Sequence, residues 1–329
     1  MSACLCNLSA DTILELIALK GLDVSLASPD PSSFVPDYNL VRDVLGTYAD
    51  MLQRPIEFLV NNARNRRRLP GTACHVWTTP LPPNSVLSLG EGLYVCSPEF
   101  TLLQQASQLH QANLCQMLGR YLGIWSPINT EQGTPEKRAP LTCFESLNGF
   151  LTGANHSRGK GNLKLAMAYT CDGAASAPET SLQLALSLPP ELHGLFIPQP
   201  TMNYEIGLSS QAQRLYPHET IRIDLCWPRK KFGLEYQGDE HGARLGADYA
   251  RWYATRAEGY ELWYLAKEQL GDAEQMSHIG REVAKRIGHE INEDLWPTTS
   301  ELQGLLDVLT HRRHLGPLGY DELRRRRAK

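Results

Sequence analysis

The chain has 329 residues, 42% hydrophobic and 21% charged, a globular composition that excludes wholesale disorder and collagen-like repeats. Its formal net charge is −4, so the molecule as a whole is no basic coat for nucleic acid, and any such contact must come from local basic patches. No run reaches the ~18 apolar residues of a membrane span. The opening MSACLCNLSADTILELIALKGL lacks the basic stretch of a signal peptide. We therefore expect a cytoplasmic protein with no membrane partner. Its eight cysteines include one C-x-C pair, Cys4 and Cys6, but no C-x-x-C pair for zinc, and are expected to be reduced and mostly buried.

At ~100–200 residues per domain the length suggests roughly two domains. In chain order, a helix is expected at about 10–22, with Asp11, Glu15 and Lys20 on its solvent side. A second, at 38–62, carries Leu40, Val41, Leu45, Tyr48, Met51 and Leu52 at helical spacing. It runs into Arg64, Arg66, Arg67 and Arg68, which either meet phosphate or are a solvated helix end. Residues 72–97 read as short strands joined by turns, and FTLLQQASQLHQANLCQMLGRYLG as one helix. SPINTEQGTPEKRAP, residues 126–140, reads as a loop. Helices follow at 141–152 and, after a basic glycine turn, at about 162–171.

From residue 174 the order is a helix opening at SAPETSLQLALSLP, three extended runs (MNYEIGL, TIRIDLCWP, KFGLEYQG), a helix at 245–258 and the strand ELWYLAK. A helix pair at 271–289 and 299–313 reads as appended, followed by a basic tail. The fold class is α/β (α+β), with a mainly helical N-terminal region containing short strands. The expected boundaries are 1–125, 126–173, 174–268 and 269–329.

TIRIDLCWP and KFGLEYQG alternate as two arms of a hairpin. A turn centred between Arg229 and Lys230 opposes Trp227 to Phe232, Leu225 to Leu234 and Ile223 to Tyr236, all apolar pairs. The same register opposes Asp224 to Glu235 and Arg222 to Gln237. Carboxylates ~4.5–5.5 Å apart at Cβ repel each other, and a divalent cation between them removes the repulsion. Oxygen donors alone favour Mg²⁺ or Mn²⁺. The other reading is two solvated carboxylates on an exposed hairpin.

Here the chain resembles the PD-(D/E)XK nuclease superfamily, and within it the domains related to very-short-patch mismatch-repair endonucleases. The matching segments are APETSLQL, RIDLCWP, GLEYQGDEH, DYAR and GYELWYL, within residues 174–267. Upstream, GLYVCSPEFTLLQQA and SRGKGNLKLAMAY resemble AbiEi-like proteins of abortive-infection toxin–antitoxin systems. The resemblance implies a restriction-endonuclease-like core of order α-β-β-β-α-β. It implies a metal-dependent nuclease acting on nucleic acid, DNA rather than RNA, in phage defence, with a cognate toxin as a possible protein partner. The alternative it leaves open is a catalytically inactive binding or regulatory protein on the same scaffold.

Residue by residue, the resemblance carries metal ligation onto Asp224 and Glu235, with Glu179 adding a carboxylate from the first core helix. Ser176-x-x-Glu179 with Pro178 is also a capping-box pattern, and the two roles are compatible. The motif's lysine position holds Gln237, which can orient water but brings no charge to the attacked phosphate. Arg222 could restore that charge, or be a solvent-facing strand residue. The resemblance places a histidine close to the metal face, which makes His241 an auxiliary catalytic residue holding a water or phosphate; the other reading is that Asp239 and His241 are simply a polar turn. Asp248 and Arg251 either pair with each other or, in the functional reading, leave Arg251 to clamp a phosphate. Trp252, Tyr253, Tyr260, Trp263 and Tyr264 are expected chiefly in the core.

Overall fold

The computed structural model describes residues 2–67, 69–129, 135–155, 157–238 and 245–310. The chain divides into two compact units, one built from Met1–Met117 and Trp125–Leu165, the other from Leu118–Ile124 and Ala166–Arg312. No described helix is long and apolar enough to cross a membrane.

The first unit is more β-rich than its sequence suggests. Its elements are β1 (Ala3–Leu5), α1 (Asn7–Lys20), β2 (Ser25–Ala27), α2 (Tyr38–Leu45), β3 (Ile56–Val60), β4 (Thr72–Val76), β5 (Val86–Gly90), β6 (Leu93–Cys96) and α3 (Pro98–Ala106). There follow α4 (Gln111–Leu122), β7 (Trp125–Asn129), β8 (Pro135–Lys137), α5 (Phe144–Gly153) and α6 (Lys160–Tyr169), of which α4 from Leu118 and α6 from Ala166 belong to the second unit. A six-stranded mixed sheet runs β2-β5-β6-β1-β3-β4. The long helix expected at 38–62 stops at Leu45, where Gly46 takes a positive φ of 55°. Beyond it IEFLV is β3, buried at all five positions. A strand covered on both faces has no alternation to reveal it. The helix expected at 100–123 is two, broken after Ala106. The 126–140 stretch, read as a loop, contains the antiparallel β7 and β8.

Glu15 is also misplaced by the sequence reading. It is 1% exposed, and Arg138 donates to both its carboxylate oxygens at 2.6 and 2.9 Å. Asp11 is likewise buried. All eight cysteines are thiols, five of them buried and Cys143 exposed.

In the second unit, α7 (Ala177–Ser187) is followed by β9 (Thr201–Gly207), α8 (Ser210–Leu215), β10 (Thr220–Trp227), β11 (Phe232–Gln237), α9 (Leu245–Ala257) and β12 (Glu261–Ala266). After these come α10 (Lys267–Leu270), α11 (Ala273–Ile287) and α12 (Thr299–Leu309). The sheet order is β12-β11-β10-β9. β9, β10 and β11 are antiparallel, while β12 joins β11 in parallel. A parallel pair needs a crossover, and α9 provides it. Helix–three strands–helix–strand is therefore the order found, with the short α8 interposed between β9 and β10.

The last helices are integral to this unit. α11 buries Met276, Val283 and Ile287, and α12 buries Leu302, Leu305, Leu306 and Leu309. The Ser181 hydroxyl of α7 donates to the Leu309 carbonyl at 2.7 Å. The expectation of an appended pair overlooked the apolar stripe of α12, which needs a partner to cover it.

Candidate functional site

The hairpin register is the one its apolar alternation requires. Leu225 pairs with Leu234, Cys226 with Gly233 and Trp227 with Phe232. The ladder stops there, so the expected backbone pairs Ile223–Tyr236 and Asp224–Glu235 are not part of it. Asp224 replaces a backbone bond with its own side chain: its Oδ2 accepts from the Tyr236 N–H at 2.9 Å. On the other flank β9 and β10 pair on both sides of Asn203 and Asp224 but not at them. Asn203 sits there with φ 46°, a left-handed conformation that asparagine tolerates better than most residues. Asp224 is thus a strand residue whose neighbours have parted on both sides.

The same bend aims Asn203 at the start of α7. Its Nδ2 donates to Glu179 Oε2 at 2.7 Å and to the Gly173 carbonyl at 3.0 Å. Glu179 also braces the N-cap of α7, although the reciprocal Ser176 N–H bond of a full capping box is not among its contacts. The Glu179 N–H donates to Ser176 Oγ, the Ser176 hydroxyl donates to Oε1 at 2.8 Å, and the Ala175 N–H donates to Oε2 at 2.8 Å. Glu179 is 7% exposed.

Glu235, 5% exposed, faces Arg251 of α9. The guanidinium forks onto both carboxylate oxygens, Nη1 to Oε2 at 2.9 Å and Nη2 to Oε1 at 2.7 Å. Nη2 also donates to the Arg222 carbonyl. Such forked pairs are directional as well as strong.

The electrostatics follow from this enclosure. Burial raises the Asp224 carboxyl well above its ordinary range, and the charges of Glu235 and Glu179 raise it further. The Tyr236 N–H and Arg251 oppose that rise without cancelling it. Burial also pushes Glu235 up to about 7, against the pull of Arg251 and with a further push from Glu179. Burial disfavours the charge on Arg251, but Glu235 and Asp224 outweigh it and hold its pKa above the ordinary value.

The other expected site residues lie elsewhere. Arg222 does not oppose Gln237. It pairs across β10 and β9 with Glu205, Nε to Oε2 at 2.9 Å, on an exposed surface. The hairpin has already opened at that level, so the cross-strand neighbour comes from the other edge. Gln237 is half-buried and pairs with Ala266 of β12. His241 and Asp239 lie outside the described residues, as does the side chain of Asp248. Of the aromatic group, Trp252, Tyr260 and Tyr264 pack against the core, whereas Tyr253 is exposed. Asn203 is the residue that sequence reasoning missed; a lone polar position in MNYEIGL gives no sign of a left-handed bend.

Asp224 and Glu235 suit Mg²⁺ or Mn²⁺ as oxygen donors, since magnesium is commonly held by one or two carboxylates and water. Among the described residues no three Asp, Glu, His or Cys side chains form an ion cage. Glu179 belongs to the helix cap and to Asn203, and Glu235 is held by Arg251. No family model, curated protein or solved structure matches the chain.

Proposed function

We propose that the second unit is a restriction-endonuclease-like, metal-dependent nuclease domain. It hydrolyses phosphodiester bonds of nucleic acid, DNA in preference to RNA, in a cytoplasmic phage-defence or toxin–antitoxin setting. The observation that carries this reading is the enclosed Asp224–Glu235 pair. Two like charges held together under burial cost stability, and a bound cation relieves that cost while serving chemistry. Asp224 and Glu235 would hold Mg²⁺ or Mn²⁺, which when bound supplies charge neutralisation and a more acidic water. Gln237, two residues further along β11 from Glu235, orients water, and Arg251 is the cation nearest the pair for a phosphate. The helix–three strands–helix–strand order of the unit supports the same reading.

A second reading, a catalytically inactive binding or regulatory protein of the AbiEi-like kind with a toxin as its partner, is favoured by two observations. Arg251 ties up Glu235 internally, and Gln237 stands where the motif has lysine.

Calorimetric titration with Mg²⁺ and Mn²⁺ on the wild type and Asp224→Asn, with plasmid and single-strand cleavage assays on the same samples, separates the two. Metal binding lost in the variant, with cleavage by the wild type alone, establishes the nuclease. Absence of both binding and cleavage leaves the binding protein.

A further inference from the structure

We infer that Arg251 is the resident counter-cation of the metal-free site, and that a divalent cation gains Glu235 only by displacing it. The inference rests on the nuclease reading above and adds a regulatory device to it. Both Glu235 oxygens are engaged by one guanidinium, at 2.9 and 2.7 Å, so an incoming ion meets a positive charge already seated on both. The Arg251 head group is further anchored on the Arg222 carbonyl. Asp224 differs. Its Oδ2 accepts one backbone N–H, and Oδ1 has no hydrogen-bond partner among the described residues. One half of the pair is open to a cation and the other is occupied by a positive charge of the chain itself.

A guanidinium and a metal ion on the same two oxygens repel each other at such short range, so they compete for Glu235. Cation binding and the Arg251–Glu235 fork therefore oppose each other, and metal affinity is lowered by the population of the fork. Arg251 keeps 27% of its side chain exposed, so it has somewhere to go. Once released, its fork geometry matches a phosphate as well as it matched the carboxylate. The same side chain then closes the site at rest and binds the substrate's backbone when the site is loaded.

The test uses the full-length protein labelled with ¹⁵N-arginine, with the Arg251 guanidinium signals identified through their bonds to its assigned backbone. In EDTA, slowly rotating Nη–H signals are expected, and titration with MgCl₂ should abolish them with the midpoint of the calorimetric isotherm. Signals that persist unchanged at saturating Mg²⁺ overturn the inference. In parallel, Mn²⁺ affinity is measured for Arg251→Gln and for Arg222→Gln, which removes a neighbouring charge that does not touch Glu235. Arg251→Gln should bind about tenfold tighter or more, and Arg222→Gln should stay within about twofold of the wild type. Equal tightening in both variants, or none in Arg251→Gln, overturns the displacement and leaves the nuclease reading standing. No Mn²⁺ binding by either the wild type or a folded Arg251→Gln sinks both. If Arg251→Gln does not fold, the wild-type titration decides alone.

Discussion

Asp224 is a residue that the fold holds at a cost. A carboxyl whose pKa is higher folded than unfolded binds more protons in the native state, so stability falls as pH rises between the two values. For Glu235 that window runs from its ordinary 4.5 to about 7. Metal-free protein should accordingly lose stability between those values. Asp224→Asn, which keeps an acceptor for the Tyr236 N–H but removes the charge, should be more stable than the wild type at pH 8 by about 1–2 kcal/mol. At pH 4.5 that advantage should shrink; denaturant melts in EDTA at the two values check it, and an unchanged difference would count against the burial argument. A thiol offers a second residue-scale prediction. Cys143 is exposed at the start of α5, and the Ser146 hydroxyl and N–H lower its pKa, whereas burial drives Cys171 and Cys226 up to about 12. A thiol reagent near neutral pH should show one fast equivalent, absent from Cys143→Ser. At this scale the meeting of Asp224 with Glu235 was legible in the alternation of two strands. The forked partner of Glu235 was not, because it comes from a helix whose rotation no spacing rule specifies.

Among the elements, the hairpin of β10 and β11 carries the site and depends on one glycine. A Cβ at Gly233 would lie 2.4 Å from Ile223 Cγ2 and 3.2 Å from the Leu225 carbonyl. Ile223 is β-branched and fully buried, so it has little room to turn away. Gly233→Ala should destabilise by ~1–3 kcal/mol, read as a lowered denaturation midpoint with an unchanged slope. The start of α7 gives a milder case: Ser176→Ala removes the cap and should cost about 1 kcal/mol. Period-two alternation showed β10 and β11 in the sequence, and the capping-box pattern showed where α7 starts. The same rules failed at β3, where five buried residues in a row mimic a helix segment. They failed also at Ser107–His110, where α3 and α4 separate without a proline or glycine.

For the whole molecule, charge distribution matters more than charge total. With a net −4, non-specific retention on duplex DNA should be weak, and should vanish by about 150 mM salt in EDTA. Gel shifts across a salt series test this, and tight binding at that salt would point to a local basic patch such as Arg64, Arg66 and Arg67. The first unit buries charges of its own: Arg138→Met would take the forked guanidinium from buried Glu15 and should cost ~3–5 kcal/mol, much of it regained when Glu15→Leu is added. Mixed α/β character was readable from the alternation of element types. The six-stranded sheet was not, since β1 and β2 are only three residues long and β3 is buried at every position.

The C-terminal helices change how the second unit can be handled in isolation. α12 seats its leucines in the unit, and its final carbonyl receives the hydroxyl of Ser181 in α7, the helix that presents Glu179. A recombinant fragment cut at residue 268, where the recognisable segments stop, would bare the flank of α7 to water. Such a piece is expected in inclusion bodies, whereas one carried through Thr310 retains its cover. Motif boundaries and folding boundaries are thus about forty residues apart in this chain, and expression trials guided by the motif alone would mistake a trimming error for an unstable protein.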